Sequence, residues 1–168
     1  QENWNFKNQI KNSIKNFTFV FSQVKNIFKS TGLTSVFKDN HLVRNYEIIN
    51  FKDCNGILFN GNDCLASKGF IYSEVIIGNK FIDIYNTHLD AGNSYKDKIV
   101  RREQLLELKN YIFNKKSSNP IIVAGDFNID YFGDESNEIK KFKTSLNLDF
   151  INWINEYFIE NKIDYIFY

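Results

Sequence analysis

A chain of 168 residues, 43% hydrophobic and 24% charged, is long enough to bury one core and has the balance of a globular domain, not of a disordered or fibrous chain. Its formal net charge of +1 excludes a global attraction to nucleic acid or anionic membranes, so a polyanionic partner would need a local basic patch. No apolar run reaches the roughly eighteen residues of a membrane-spanning helix.

In chain order, residues 5–15 read as a short polar helix with Ile10 and Ile14 on one face. Phe17, Phe19 and Phe21 alternate with Thr18 and Val20 as a strand. Further strands are expected over 32–37 and 42–51, rich in Val, Ile, Tyr and Phe. Residues 68–77 and 81–88 read as two strands joined at Gly78-Asn79, a hairpin signal because Gly accepts positive φ at little cost. Residues 97–115 carry the clearest helical pattern, with Leu105, Leu108 and Ile112 in one stripe and charge opposite. The apolar run 121–124 before Gly125-Asp126 reads as a buried central strand. A helix over 136–146 and a strand over 163–168 close the chain. Without a repeat, linker or composition shift, residues 1–168 read as one domain of mixed α/β class.

Cys54 and Cys64 do not match a zinc-site spacing. Two buried thiols and a disulfide closing a short loop are both open from spacing alone. His41 lies in the polar, turn-like stretch Lys38-Asp39-Asn40 and reads as surface.

Three groups of residues suggest chemistry. Asn86-Thr87-His88-Leu89-Asp90 ends a strand, where α/β proteins place reactive groups. Gly125-Asp126-Phe127-Asn128 sets a carboxylate and an amide on one side of an extended segment, although the same residues also form ordinary turns. Asp63 and Lys68 flank a short loop, as a surface ion pair or as a phosphate-directed lysine with its partner.

These motifs, in this order, resemble the endonuclease/exonuclease/phosphatase superfamily: Gln1-Glu2, then N-T-H-L-D-A, R-R-E-Q-L-L-E-L, I-I-V-A-G-D-F-N and the late Asp164-Tyr165-Ile166-Phe167. The block D-C-L-A-S-K-G over 63–69 resembles the neutral sphingomyelinase branch. The segment 32–37 looks like a worn form of that family's G-L-A-I-L-S strand.

The resemblance implies a DNase I-like, four-layer α/β sandwich: two mixed sheets face to face with helices outside. It implies a Mg²⁺-dependent phosphodiester hydrolase, with Mn²⁺ or another divalent cation as a substitute. Glu2 would be the metal ligand. His88 would stand against the phosphate, Asp126 would orient the attacking water, and Asn128 would donate to a phosphoryl oxygen. Lys68, partnered by Asp63, would meet the phosphate, and Asn86 would steady the His88 loop. Each such preorganised donor can contribute about 3–4 kcal/mol to the transition state.

The implied substrate is sphingomyelin at a membrane surface, split to phosphocholine and ceramide. A nuclease or another phosphoesterase is the alternative, with Lys109, Lys115 and Lys116 as the one visible basic cluster. A bilayer substrate would call for an exposed apolar loop, to which Tyr131 and Phe132 could contribute. Nucleic acid is the less favoured partner, a monomer is expected, and the compartment leans towards secreted or membrane-associated. The family's opening Asn and its closing S-D-H, which carries a second histidine, have no counterpart here. With Gln1 in the place of Met, the chain is therefore expected to be truncated at both ends. An inactive remnant is the third reading.

Overall fold

The computed structural model describes residues 14–21, 32–56, 64, 68–150 and 163–168. Nearly all of the helix expected over 5–15 lies outside them, as do Glu2 and Asp63. Seven strands and two helices are described: β1 (Phe17–Phe21), β2 (Thr34–Lys38), β3 (Leu42–Asn50), β4 (Gly69–Ile77), β5 (Lys80–His88), α1 (Tyr95–Lys115), β6 (Ile121–Asp126), α2 (Ser136–Ser145) and β7 (Asp164–Phe167). The two-stranded sheet β1-β2 is antiparallel. The five-stranded sheet has the order β3-β4-β5-β6-β7 and is antiparallel except for the parallel pair β5 and β6.

Strand alternation sends side chains to two cores. Phe70, Tyr72, Tyr85, Val123, Tyr165 and Phe167 leave one face of the large sheet and meet Leu105, Leu108 and Ile112 of α1 and Ile139 and Phe142 of α2. Ile71, Val75 and Ile84 leave the other face and meet Val20, Leu33 and Phe37 of the small sheet and the residues beside it. The described layers are therefore helix, sheet and sheet, an α/β sandwich. Each large apolar side chain so buried stabilises the fold by about 1.5–3 kcal/mol.

Two turns fix the topology. Gly78, at φ 62°, makes the β4–β5 hairpin with Ile77 opposite Lys80. Ser94 caps α1 by accepting from the Asp97 amide while the Asp97 carboxylate accepts from the Ser94 amide. That reciprocal cap starts α1 just past His88, and the helix carries the chain back so that β6 runs parallel to β5.

In β1 it is Val20 that enters the core between the sheets, while Phe19 and Phe21 stack on each other at 5.5 Å and stay half-buried. His41 is half-buried, not at the surface, and its Nδ1 is shielded without a hydrogen-bond partner among the described residues. On α1, Arg101 and Gln104 are buried rather than solvated. Carbonyl oxygens of Asp90 and Gly92 and the Glu135 carboxylate satisfy Arg101, and Gln104 donates to Asp53 O while accepting from the Asp90 amide. The cysteines are joined as a Cys54–Cys64 disulfide.

Candidate active site

One register row crosses the whole large sheet. Asn50 lies opposite Gly69, Gly69 opposite His88, His88 opposite Asp126, and Asp126 opposite Asp164. Alternation puts His88, Asp126 and Asp164 on the face turned towards the small sheet, at one end of the large sheet. Close contact of β5 and β6 depends on Gly125, where a Cβ would sit 1.9 Å from Thr87 O.

The side chains meet closely. Lys68 is 6% exposed and its Nζ lies 2.9 Å from His88 Nε2. An ammonium has only donors, so Lys68 can donate to Nε2 only while that nitrogen carries no proton. His88 Nε2 lies 3.7 Å from Asp126 Oδ2, within ion-pair reach but too long for a hydrogen bond. The Asn128 amide donates to Asp126 Oδ1 at 2.9 Å, and Asn128 adopts φ 50° to do so. The Asn128 side chain donates to Leu89 O at 2.9 Å, which ties the loop after β6 to the loop after His88. Asn86 reaches across to the small sheet, donating to Thr34 O at 3.0 Å and Ser35 Oγ at 3.1 Å.

Burial, and then the neighbouring Asp126 charge, raise the Asp164 carboxyl above the ordinary carboxylate range, with His88 acting against them. Asp164 was legible from sequence only as the first letter of the late strand. Its place beside Asp126 follows from antiparallel register, which no local pattern announces.

His88, Asp126, Asn128 and Lys68 thus come together, and Asn86 stands behind them as a brace between the sheets. Among the described residues no group of three or more His, Cys, Asp or Glu side chains is placed to hold a metal ion.

Solved structures share this architecture. SmcL superposes over 95% of this chain and 63% of its own with a TM-score of 0.69 at 22% identity. A Staphylococcus aureus beta toxin with bound magnesium ions gives 0.69 at 18% identity, over 95% of this chain and 64% of its own. An endonuclease/exonuclease/phosphatase family protein of Bacteroides thetaiotaomicron gives 0.65 at 14% identity, over 95% and 62%. The chain has the DNase I-like endonuclease/exonuclease/phosphatase fold.

Within that fold, curated relatives match part of the sequence. Sphingomyelinase C of Bacillus cereus is 32% identical over 88 residues, 49% of this chain and 26% of its own length. A sphingomyelinase of Mycobacterium bovis is 34% identical over 76 residues, 45% of this chain and 15% of its own. The matched segments therefore cover about a quarter or less of the length of these curated relatives. No family model matches it.

Proposed function

We propose that this chain carries the centre of a sphingomyelinase-type phosphodiester hydrolase, which releases phosphocholine and ceramide. The observation that carries the reading is the contact of Lys68, His88 and Asp126 at one end of the sheet, at 2.9 Å and 3.7 Å. The partial matches to sphingomyelinases add the substrate class.

In this reading the Lys68 ammonium draws a phosphodiester anion to this end of the sheet, beside the His88 ring. Lys68 has three donors and can turn from His88 to a phosphoryl oxygen. The Asp126 carboxylate, held by the Asn128 amide, accepts a hydrogen bond from a water and aligns it on phosphorus. Water attacks phosphorus, the bond from phosphorus to the ceramide oxygen breaks, and that oxygen takes up the proton that the attacking water gives up. Asn128 and Asn86 act by holding loop to loop and sheet to sheet.

Asp126 and Asp164, opposite each other in the register, offer the oxygen chemistry a hard cation prefers, and the Asp164 carboxyl is raised first by burial and then by the Asp126 charge. Glu2, outside the described residues, is the carboxylate expected to hold Mg²⁺ or Mn²⁺. When bound, that ion would supply positive charge against the phosphoryl oxygens. Asp63 is kept as the expected partner of Lys68.

A nucleic-acid substrate has less support. Lys115 of the basic cluster is engaged by Glu47 at 2.5 Å and lies over the Tyr72 ring at 4.1 Å. The test is a substrate panel with the natural full-length protein: sphingomyelin vesicles and plasmid DNA, each with Mg²⁺ and with chelator. Metal-dependent phosphocholine release with intact plasmid supports the reading. Nicked plasmid without phosphocholine moves the protein to the nuclease alternative, and silence on both leaves another phosphoester substrate or an inactive remnant.

A further inference from the structure

The two most exposed large apolar side chains among the described residues are Tyr95, at 80%, and Phe132, at 72%. Both stand at the end of the sheet that carries the candidate site. Tyr95 opens α1 on the segment that follows His88, and Phe132 lies on the loop that follows Asp126 and Asn128. Ion pairs from Lys98 to Asp134 and from Arg101 to Glu135 lash those two segments together.

Phe132 is displayed on a braced turn. Its amide donates to Asp130 Oδ1 at 3.1 Å, and the Gly133 amide donates to Asp130 O at 3.1 Å. Its ring meets the Tyr131 ring edge-on at 5.3 Å, and Tyr131 packs on Phe150 at 5.0 Å. A turn held this way would fold equally well with a polar residue at 132, so the fold itself does not account for the aromatic.

The charges around the two rings largely cancel. Lys98 pairs with Asp134 and Arg101 with Glu135, while the negative charges of Asp97 and Asp130 are matched in number by Lys96 and by Lys140, which lies over the Tyr131 ring at 5.6 Å. Aromatic rings in such a neutral setting suit the interfacial region of an uncharged bilayer, where their partition needs no anionic lipid.

We propose that Tyr95 and Phe132 form a docking rim by which the protein seats on a zwitterionic phospholipid surface, with the His88–Asp126 end of the sheet towards the headgroups. The inference rests on the lipid-hydrolase reading for its choice of partner, and its test is kept independent of turnover. Partition of the natural full-length protein onto phosphatidylcholine vesicles lacking sphingomyelin is measured by co-sedimentation. Phe132→Ala and Tyr95→Ala each weaken partition about tenfold, and the double variant about a hundredfold. The indole emission of Phe132→Trp shifts to the blue on vesicles and is quenched by brominated acyl chains. A parent protein that partitions through Phe132 yet releases no phosphocholine from sphingomyelin would sink the hydrolase reading and leave the docking rim standing. Equal partition of the double variant and the parent, or an emission spectrum of Phe132→Trp that vesicles do not move, overturns the proposal. A dimer in lipid-free solution that Phe132→Ala dissolves would assign the rings to a second copy and overturn it as well.

Discussion

Replacing Gly125 by Ala inserts one methyl group where β5 and β6 touch. The new Cβ would stand 1.9 Å from Thr87 O and 2.8 Å from Thr87 C, both backbone atoms of a central strand. No rotamer change relieves that overlap, so the strands must part between Asp126 and His88. Overpacking of this kind costs about 1–3 kcal/mol. Backbone at φ 146° adds about 1–3 kcal/mol for a residue with a Cβ. A total near 4 kcal/mol corresponds to a melting temperature lower by roughly 10 °C. Gly78→Ala is the control: its φ of 62° is also positive, but nothing lies within 4 Å of the new Cβ, so about 1 kcal/mol is expected. Urea and thermal unfolding of both variants measure the difference. Equal losses in the two would refute the claim that the β5–β6 approach is set by the missing side chain. The surviving folded fraction of Gly125→Ala should also hydrolyse phosphodiesters about a hundredfold more slowly, because His88 and Asp126 are displaced together.

Arg101→Leu removes a fully buried guanidinium and strands the Glu135 carboxylate, and chemical denaturation should report a loss of about 3–5 kcal/mol. Converting Cys54 and Cys64 to Ser opens a loop with a sequence separation of 10, and the same measurement should show a loss of about 2–3 kcal/mol. Glu47 is held below its ordinary value of 4.5, first by the hydrogen bond from Lys115 and then by that from Tyr111. A depressed folded pKa contributes stability that is present above 4.5 and lost as pH falls through the folded value. Thermal melts from pH 7 down to pH 3 should therefore fall less steeply below 4.5 in Glu47→Gln than in the parent.

Much of the architecture was legible locally. The Gly78-Asn79 turn, the Leu105, Leu108 and Ile112 stripe and the apolar run before Gly125 each encode an element through short-range geometry, and each element forms where those signals place it. The site was half legible. His88 and Asp126 stood out by residue type and position at strand ends, but their adjacency arises only when α1 returns the chain into a parallel pair. Asp164 was missed as a site residue because its neighbour Asp126 is set by long-range register. The burial of Arg101 and Gln104 was not legible, because the carbonyls of Asp53, Asp90 and Gly92 that satisfy them come from loops whose path no periodicity describes. In β1 the alternation was legible but not its phase: Val20, and not the Phe face, enters the core between the sheets. The disulfide stayed open because spacing does not place sulfurs, whereas the folded chain brings the two Cα atoms to 5.2 Å.

The central claim is that the row through His88 and Asp126 directs water onto the phosphorus of a phosphocholine diester. Its most direct test is sphingomyelin turnover by the natural full-length protein in ¹⁸O-labelled water, with His88→Ala alongside. The account predicts one ¹⁸O in the released phosphocholine, none in ceramide, and a rate lower by at least about a hundredfold in His88→Ala. Absence of phosphocholine, label in ceramide, or a rate that His88→Ala leaves unchanged would contradict it.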